Sequence, residues 1–246
     1  SHKRYRLNEV VPSVDEAWKL LCESAYTQDL SVHDNTGVPH LPGSSSQFQA
    51  DRSTPNPKLC MEFQAWKLLI DFGTSLARDN TEESTKEPFR YDLITLGQEL
   101  LSQLSTPMSM NFSDALKEDD LNVEKLTTFG NLYIELLSDI DALLSADPAS
   151  MLGPWLEMAK AFGKNSDADD CVADGYPNVI GCTHFYEWNA RVQLTTWNPT
   201  NSTTNKIPDG PNDYAGKHWS GLVKDYYGER ASLLLKQALL HANNKK

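Results

Sequence analysis

The chain predicts an all-α fold, a multi-helix bundle of about seven to nine helices with long irregular loops, and three observations predict it. Apolar residues recur at i, i+3, i+4 and i+7 through most of the length. No stretch of useful length alternates apolar and polar residues as a half-buried strand would. Gly, Pro, Ser, Asn and Asp are gathered into a few long intervals instead of being spread evenly. At 246 residues there is ample chain to bury a core, and no repeat of fixed period is visible.

Taken in order, the first helix opens after Pro12. Ser13 and Glu16 have the spacing of a capping box, and Val14, Ala17, Trp18, Leu21 and Ala25 share one face. Residues 29 to 57 lose all period and read as a long solvated loop. His33, Asp34 and His40 within it match no metal-ligand spacing. The period returns from Pro57 to Arg78 with Met61, Ala65, Trp66, Leu69, Ile70, Gly73 and Leu76. A charged turn follows, and Pro88 is suited to the first position of the next helix. That helix carries Leu93, Leu96, Leu100, Leu101 and Leu104, with Thr106-Pro107 as its expected end.

A short segment from Phe112 to Leu116 precedes the acidic turn Glu118-Asp119-Asp120. A long helix then runs from Leu121 to about Ser145, with Leu126, Phe129, Tyr133, Leu136, Leu137, Ile140 and Leu144 as its stripe and Asp147-Pro148 as its stop. Met151 to Phe162 forms a shorter helix. The stretch from Phe185 to Arg230 reads as two more helices joined by a turn-rich linker. Tyr186, Asn189, Gln193 and Trp197 stand at helical spacing, as do Tyr214, His218, Gly221 and Leu222. A last helix runs from Arg230 to about Ala242.

Charge narrows the function classes. Asp and Glu total 34 against 22 Lys and Arg, a net charge of −12, so nucleic acid is not an expected partner. No apolar run reaches the ~20 residues of a membrane span, so no span is expected. The chain opens on Ser1-His2-Lys3-Arg4 and a polar segment, with no apolar leader. That fits a cytosolic protein, a mature product or a piece of a longer chain.

Cys171 and Cys182 bracket a turn-rich loop with Gly175, Pro177, Asn178 and Gly181, and are expected to form a disulfide. Closing a loop of this length stabilises a chain by about 3 kcal/mol. Cys22 and Cys60 form a second, less defined pair. Asn111-Phe112-Ser113 and Asn201-Ser202-Thr203 are N-glycosylation sequons, so Asn111 and Asn201 are the candidate acceptors; Asn198-Pro199-Thr200 is excluded by its proline. Cysteine loop and sequons together point to the secretory route.

The sequence holds no Gly-rich phosphate loop, no HExxH and no GxSxG. Glu118-Asp119-Asp120 and Asp167-Ala168-Asp169-Asp170 lack the alternating oxygen-ligand spacing of a calcium loop and read as solvated turns. No catalytic residue, metal or cofactor is assigned.

Specific residue order adds what periodicity cannot. The run Asn189-Ala190-Arg191-Val192-Gln193-Leu194-Thr195-Thr196-Trp197 resembles the C-terminal helical domain of the alpha-N-acetylglucosaminidases of lysosomal type. So does Asp213-Tyr214-Ala215 followed by Lys217, Trp219, Gly221, Leu222, Tyr226, Tyr227 and Arg230. Upstream blocks agree in order: Arg4-Tyr5, Ala17-Trp18-Lys19-Leu20-Leu21 with Tyr26, Ala65-Trp66-Lys67-Leu68-Leu69, Arg90-Tyr91-Asp92-Leu93, and Leu152-Gly153-Pro154-Trp155-Leu156-Glu157. The resemblance covers nearly all of residues 1–246, read as one domain. The Cys171–Cys182 loop and the Pro199 to Pro211 loop depart from the family pattern as insertions.

The resemblance implies that the catalytic pair of glutamates lies on an upstream (β/α)8 barrel, the partner polypeptide of this domain. The chain alone is then expected to be inactive, because retaining chemistry needs both carboxylates. It further implies terminal alpha-linked N-acetylglucosamine glycans as substrate, a lysosomal, vacuolar or secreted location, and a helical domain that packs on the barrel and helps wall the cleft. Trp197 and Tyr214 are the aromatic candidates for that wall, since an aromatic face holds a pyranose through its C–H groups; packing inside the core or between domains is the plainer reading of Trp197. Arg191 and Asp213 are candidates for structural ion pairs. Some of Trp197, Tyr214 and Trp219 are expected at a rim, partly exposed. A free-standing, non-catalytic helical binding module is the alternative from a different class.

Overall fold

The computed structural model describes residues 3–26, 58–78, 83–118, 120–164, 186–187, 190 and 218–244. Six α-helices occur among them: α1 (Pro12–Glu23), α2 (Leu59–Arg78), α3 (Glu83–Lys117), α4 (Val123–Leu144), α5 (Leu152–Lys164) and α6 (Glu229–Asn244). A 3₁₀ turn covers Pro148–Ser150 and a π-helical turn covers Val223–Gly228. The only β pairing among the described residues is a single parallel bridge, Met151 with Ser220. The all-α expectation holds, and the described residues show fewer helices than the seven to nine expected of the chain. No helix among the described residues is long and apolar enough to cross a membrane.

Part of the lower count comes from α3. Pro88 was expected at its first position and Pro107 at its end, with a separate segment after it, yet one 35-residue helix passes through both prolines. Each proline removes one backbone donor. Pro88 does so near the helix start, where the lost bond would have reached the Ser84 carbonyl. Pro107 is interior and costs roughly 3 kcal/mol in an ordinary helix. Residues beyond it offset that cost: Phe112 is fully buried, and Ser109, Ser113 and Ala115 nearly so. Ser102, Ser105, Ser109 and Ser113 form the buried row, while Leu104 is 42% exposed. The Ser105 hydroxyl donates to the Ser102 carbonyl at 2.7 Å, which keeps a buried hydroxyl satisfied within the helix.

The capping box at Ser13 also gives way. Val11 occupies the cap position and makes no side-chain capping bond, while Pro12 is the first helical residue. Its fixed φ and missing N–H suit that position, so the helix starts before Ser13 can act as its cap.

The described residues fall into two compact units, and the division lies inside α3, between Met108 and Ser109. The first contains the N-terminal segment, α1, α2 and α3 up to Met108. Its core joins Tyr5 with Val14, Ala17, Leu20 and Leu21 of α1, Ala65, Leu69, Phe72 and Leu76 of α2, and Phe89, Leu96 and Leu100 of α3. Phe89 makes two T-shaped ring contacts, with Tyr5 at 5.4 Å and Phe72 at 5.3 Å. Trp66 donates its indole N–H to the Leu93 carbonyl at 3.1 Å, and the Gln103 amide donates to buried Glu62 at 2.8 Å. Two polar bonds thus align α2 with α3 inside an apolar contact.

The second unit is organised on α4. Asn122 caps it, its side-chain oxygen accepting the Lys125 N–H at 3.1 Å. Leu126, Gly130, Tyr133, Leu136, Leu137, Ile140, Asp141 and Leu144 are buried along it, and α6 buries Ala231, Leu235, Ala238 and Ala242. A Cβ on Gly130 would stand 2.8 Å from both terminal methyls of Leu235, so glycine is what lets α6 approach α4 this closely. Asp147 ends the α4 region by accepting the Ala149 N–H at 2.8 Å, which opens the 3₁₀ turn leading to α5.

Candidate functional site

The second unit holds a polar centre inside apolar packing. Asp141 lies on the inner face of α4 among Leu137, Ile140 and Leu144 and is 9% exposed. An ionised carboxylate at such depth needs donors, and the segment before α6 supplies them. The Gly221 N–H reaches Oδ1 at 2.7 Å, the Lys224 N–H reaches the same oxygen at 3.1 Å, and the Ser220 hydroxyl reaches Oδ2 at 3.2 Å. The carboxylate stands where a helical segment begins, so charge and dipole favour one another there.

The local chain is shaped to deliver those donors. Ser220 donates its N–H to the Ser150 carbonyl at 2.9 Å and accepts the Leu152 N–H at 3.1 Å, which ties the segment to the start of α5. Gly221 then adopts φ +91°, a conformation that costs other residues strain. Only after Leu222 does helical structure begin, as a π turn in which the Tyr227 N–H reaches the Leu222 carbonyl at 3.2 Å. This corrects the expected helical row of His218, Gly221 and Leu222: strand-like pairing at Ser220 and the left-handed glycine keep 218–222 out of the helix.

Around this centre sit aromatic rings. Trp219 is 7% exposed and lies 5.1 Å from Trp155 with planes at 33°. It is core, so of the three aromatic residues some of which are expected at a rim, Trp219 is not one. Arg230 lies over Tyr226 at 4.6 Å and Tyr227 at 5.0 Å, within cation–π range. Farther along α5, Lys160 bridges Glu157 at 2.7 Å and Glu187 at 3.7 Å, and Phe162 meets the edge of Tyr186 at 4.8 Å. Met158 and Phe162 are exposed at 63% and 61%, with Tyr26 of the first unit also at 61%.

With three donors on its two oxygens, Asp141 is an anchor for the α6 entry; it is not placed as a general acid or base. Its sequence signal was a carboxylate standing inside the apolar stripe of α4, one residue after Ile140. Gly221 and Ser220 carried no comparable signal.

A second polar cluster lies in the first unit. The Arg4 guanidinium forms a bidentate ion pair with Asp92 and sits 5.9 Å from the Trp18 ring, which stacks on Tyr26 at 6.2 Å and 13°. The hydrogen bond to Asp92 pushes the Arg4 pKa further up and keeps the side chain charged. Burial pushes the Tyr5 phenol well above its ordinary range, and the Asp92 charge adds to the effect. Tyr26 shifts the same way, burial first and Asp92 second.

Trp197, Tyr214, Arg191, Asp213, Cys171, Cys182 and Asn201 lie outside the described residues. Asn111 is described and exposed, on α3. Cys22 and Cys60 are exposed free thiols and do not pair. No group of three or more His, Cys, Asp or Glu side chains able to hold a metal occurs among the described residues.

Comparison with known proteins gives a whole-chain result. A family model described as the C-terminal domain of alpha-N-acetylglucosaminidase (NAGLU) matches residues 1–246. A human protein named alpha-N-acetylglucosaminidase is 30% identical over 238 residues, 95% of this chain and 27% of its own length. The chain thus spans about a quarter of that relative. No solved structure matches.

Proposed function

The chain belongs to the alpha-N-acetylglucosaminidase C-terminal domain family, and on that premise we propose that it serves in hydrolysis of terminal alpha-linked N-acetylglucosamine by packing on a catalytic barrel and helping wall the substrate cleft. The observation that carries this reading is the family match along the whole chain, together with a human relative that bears the name of the activity. The barrel supplies the paired carboxylates, and this domain supplies support. A saturated Asp141 and the packed Trp155–Trp219 pair fit such a role, since both build shape and neither offers an unused reactive group.

The docking role draws support from α5. Pro154, Met158, Ala161 and Phe162 follow one another at helical spacing and are all exposed. Two of the most exposed large apolar residues of the described chain, Met158 and Phe162, thereby share one helix face, which suits a surface covered in a longer polypeptide. Within the same reading Trp197 and Tyr214 are the aromatic wall, Arg191 and Asp213 an internal ion pair, and Cys171 and Cys182 a disulfide suited to a lysosomal, vacuolar or secreted setting.

The test is turnover of a chromogenic alpha-N-acetylglucosaminide by three proteins: this chain alone, the longer polypeptide that includes its upstream catalytic segment, and that polypeptide with residues 1–246 deleted. The expected pattern is activity in the second alone. Turnover by the isolated chain, or undiminished turnover after the deletion, overturns the proposal.

A further inference from the structure

We propose that Asn111 carries an N-linked glycan and that it is an acceptor only before α3 forms. Asn111-Phe112-Ser113 is a sequon, and a transferase must engage the asparagine amide and the serine hydroxyl together. In an α-helix, residues two apart point about 200° away from each other, on opposite faces. α3 runs unbroken through this site. Asn111 is exposed, whereas Phe112 is 0% and Ser113 4% exposed. The folded helix therefore hides the hydroxyl that recognition needs while leaving the asparagine open to solvent.

Both halves matter. Transfer requires the extended chain, in which the two side chains can be engaged together. Retention requires that folding leave the modified side chain outside, and the α3 face carrying Asn111 also carries exposed Pro107 and Asp114. Asp114 and Lys117 form a loose pair at 4.0 Å, both well solvated. A glycan on Asn111 thus projects from a polar surface and displaces no core contact. In the transfer itself, the Asn111 side-chain nitrogen forms a bond to C1 of a sugar carried on a lipid pyrophosphate. The C1–O bond to the carrier breaks, the nitrogen loses one proton, and the lipid pyrophosphate leaves.

The inference rests on the secretory part of the proposed function, so the test supplies the route itself. The full 246-residue chain is expressed behind an added secretion signal in eukaryotic cells, alongside N111Q and N201Q. Secreted and cell-retained pools are both digested, so a folding failure does not hide the result. Peptide N-glycosidase treatment is expected to convert Asn111 to Asp in the peptide ending at Lys117, and N111Q is expected to lose one glycan in mass. Unmodified Asn111 in both pools overturns the proposal regardless of where the natural protein resides.

A second arm tests the order of events. The same chain, made unglycosylated in bacteria and folded, is incubated with a purified oligosaccharyltransferase and lipid-linked oligosaccharide. Transfer to Asn111 is expected to be at least ~100-fold slower than to a free peptide of residues 107–117, because it must wait on opening of a packed helix. Equal rates overturn the claim that α3 closes the site.

Discussion

Asp141 shows how a single side chain can determine the start of a distant helix. D141A would leave the Gly221 and Lys224 N–H groups and the Ser220 hydroxyl without their acceptor, in a part-buried region. Each unmet buried donor costs about 1–3 kcal/mol, and partial relaxation brings the expected total loss to about 2–4 kcal/mol. D141N retains one acceptor oxygen and is expected to lose less, a ranking that urea unfolding midpoints of the two variants would check. Tyr5 gives a prediction in pH. Its folded pKa is raised, mainly by burial, so its stabilising contribution is complete below the ordinary phenol value of about 10. As pH rises above that value the unfolded chain ionises first, and stability falls. Y5F should flatten this alkaline loss, measured as unfolding free energy between pH 9 and pH 11. Tyr26, raised in the same direction, leaves a residual slope.

Among the elements, α3 departs most from its local signals. Pro107 is exposed and interior to a 35-residue helix, so the carbonyl of Gln103 has no helical donor from that position. P107A restores the donor and touches no buried neighbour. It is expected to stabilise the chain by about 1–3 kcal/mol, seen as a higher melting temperature with little added helicity. The reverse outcome, a loss of stability, would mean that the proline holds a bend the surrounding packing requires. The leucines of α3 illustrate the same point. Leu96 and Leu100 face inward as their spacing suggests, but Leu104 turns outward and Ser105 inward. Hydrophobicity alone favours the opposite choice. A serine that bonds its own helix presents a small, satisfied surface, and its neighbours can approach closely where a leucine would not fit.

For the whole molecule, the docking face on α5 is the feature to challenge. In the longer polypeptide, M158D with F162D is expected to reduce turnover and yield severalfold, while the same pair in the isolated chain leaves its helical circular dichroism unchanged. Equal activity of the altered and unaltered long proteins would remove α5 from the interface. The sequence by itself determined the helical class, the apolar stripes of α1, α2 and α4, the stop at Asp147-Pro148 and, through ordered blocks such as Leu152-Gly153-Pro154-Trp155, the family. These are legible because helical period and residue order are carried by neighbours along the chain. Only the tertiary structure decided that Asp141 would hold Gly221, 80 positions away, that Ser220 would pair with the start of α5 instead of coiling, and that Trp219 would be core. Those choices depend on donors and surfaces that meet only after folding, where burying a carboxylate among leucines is tolerable because three donors arrive with it.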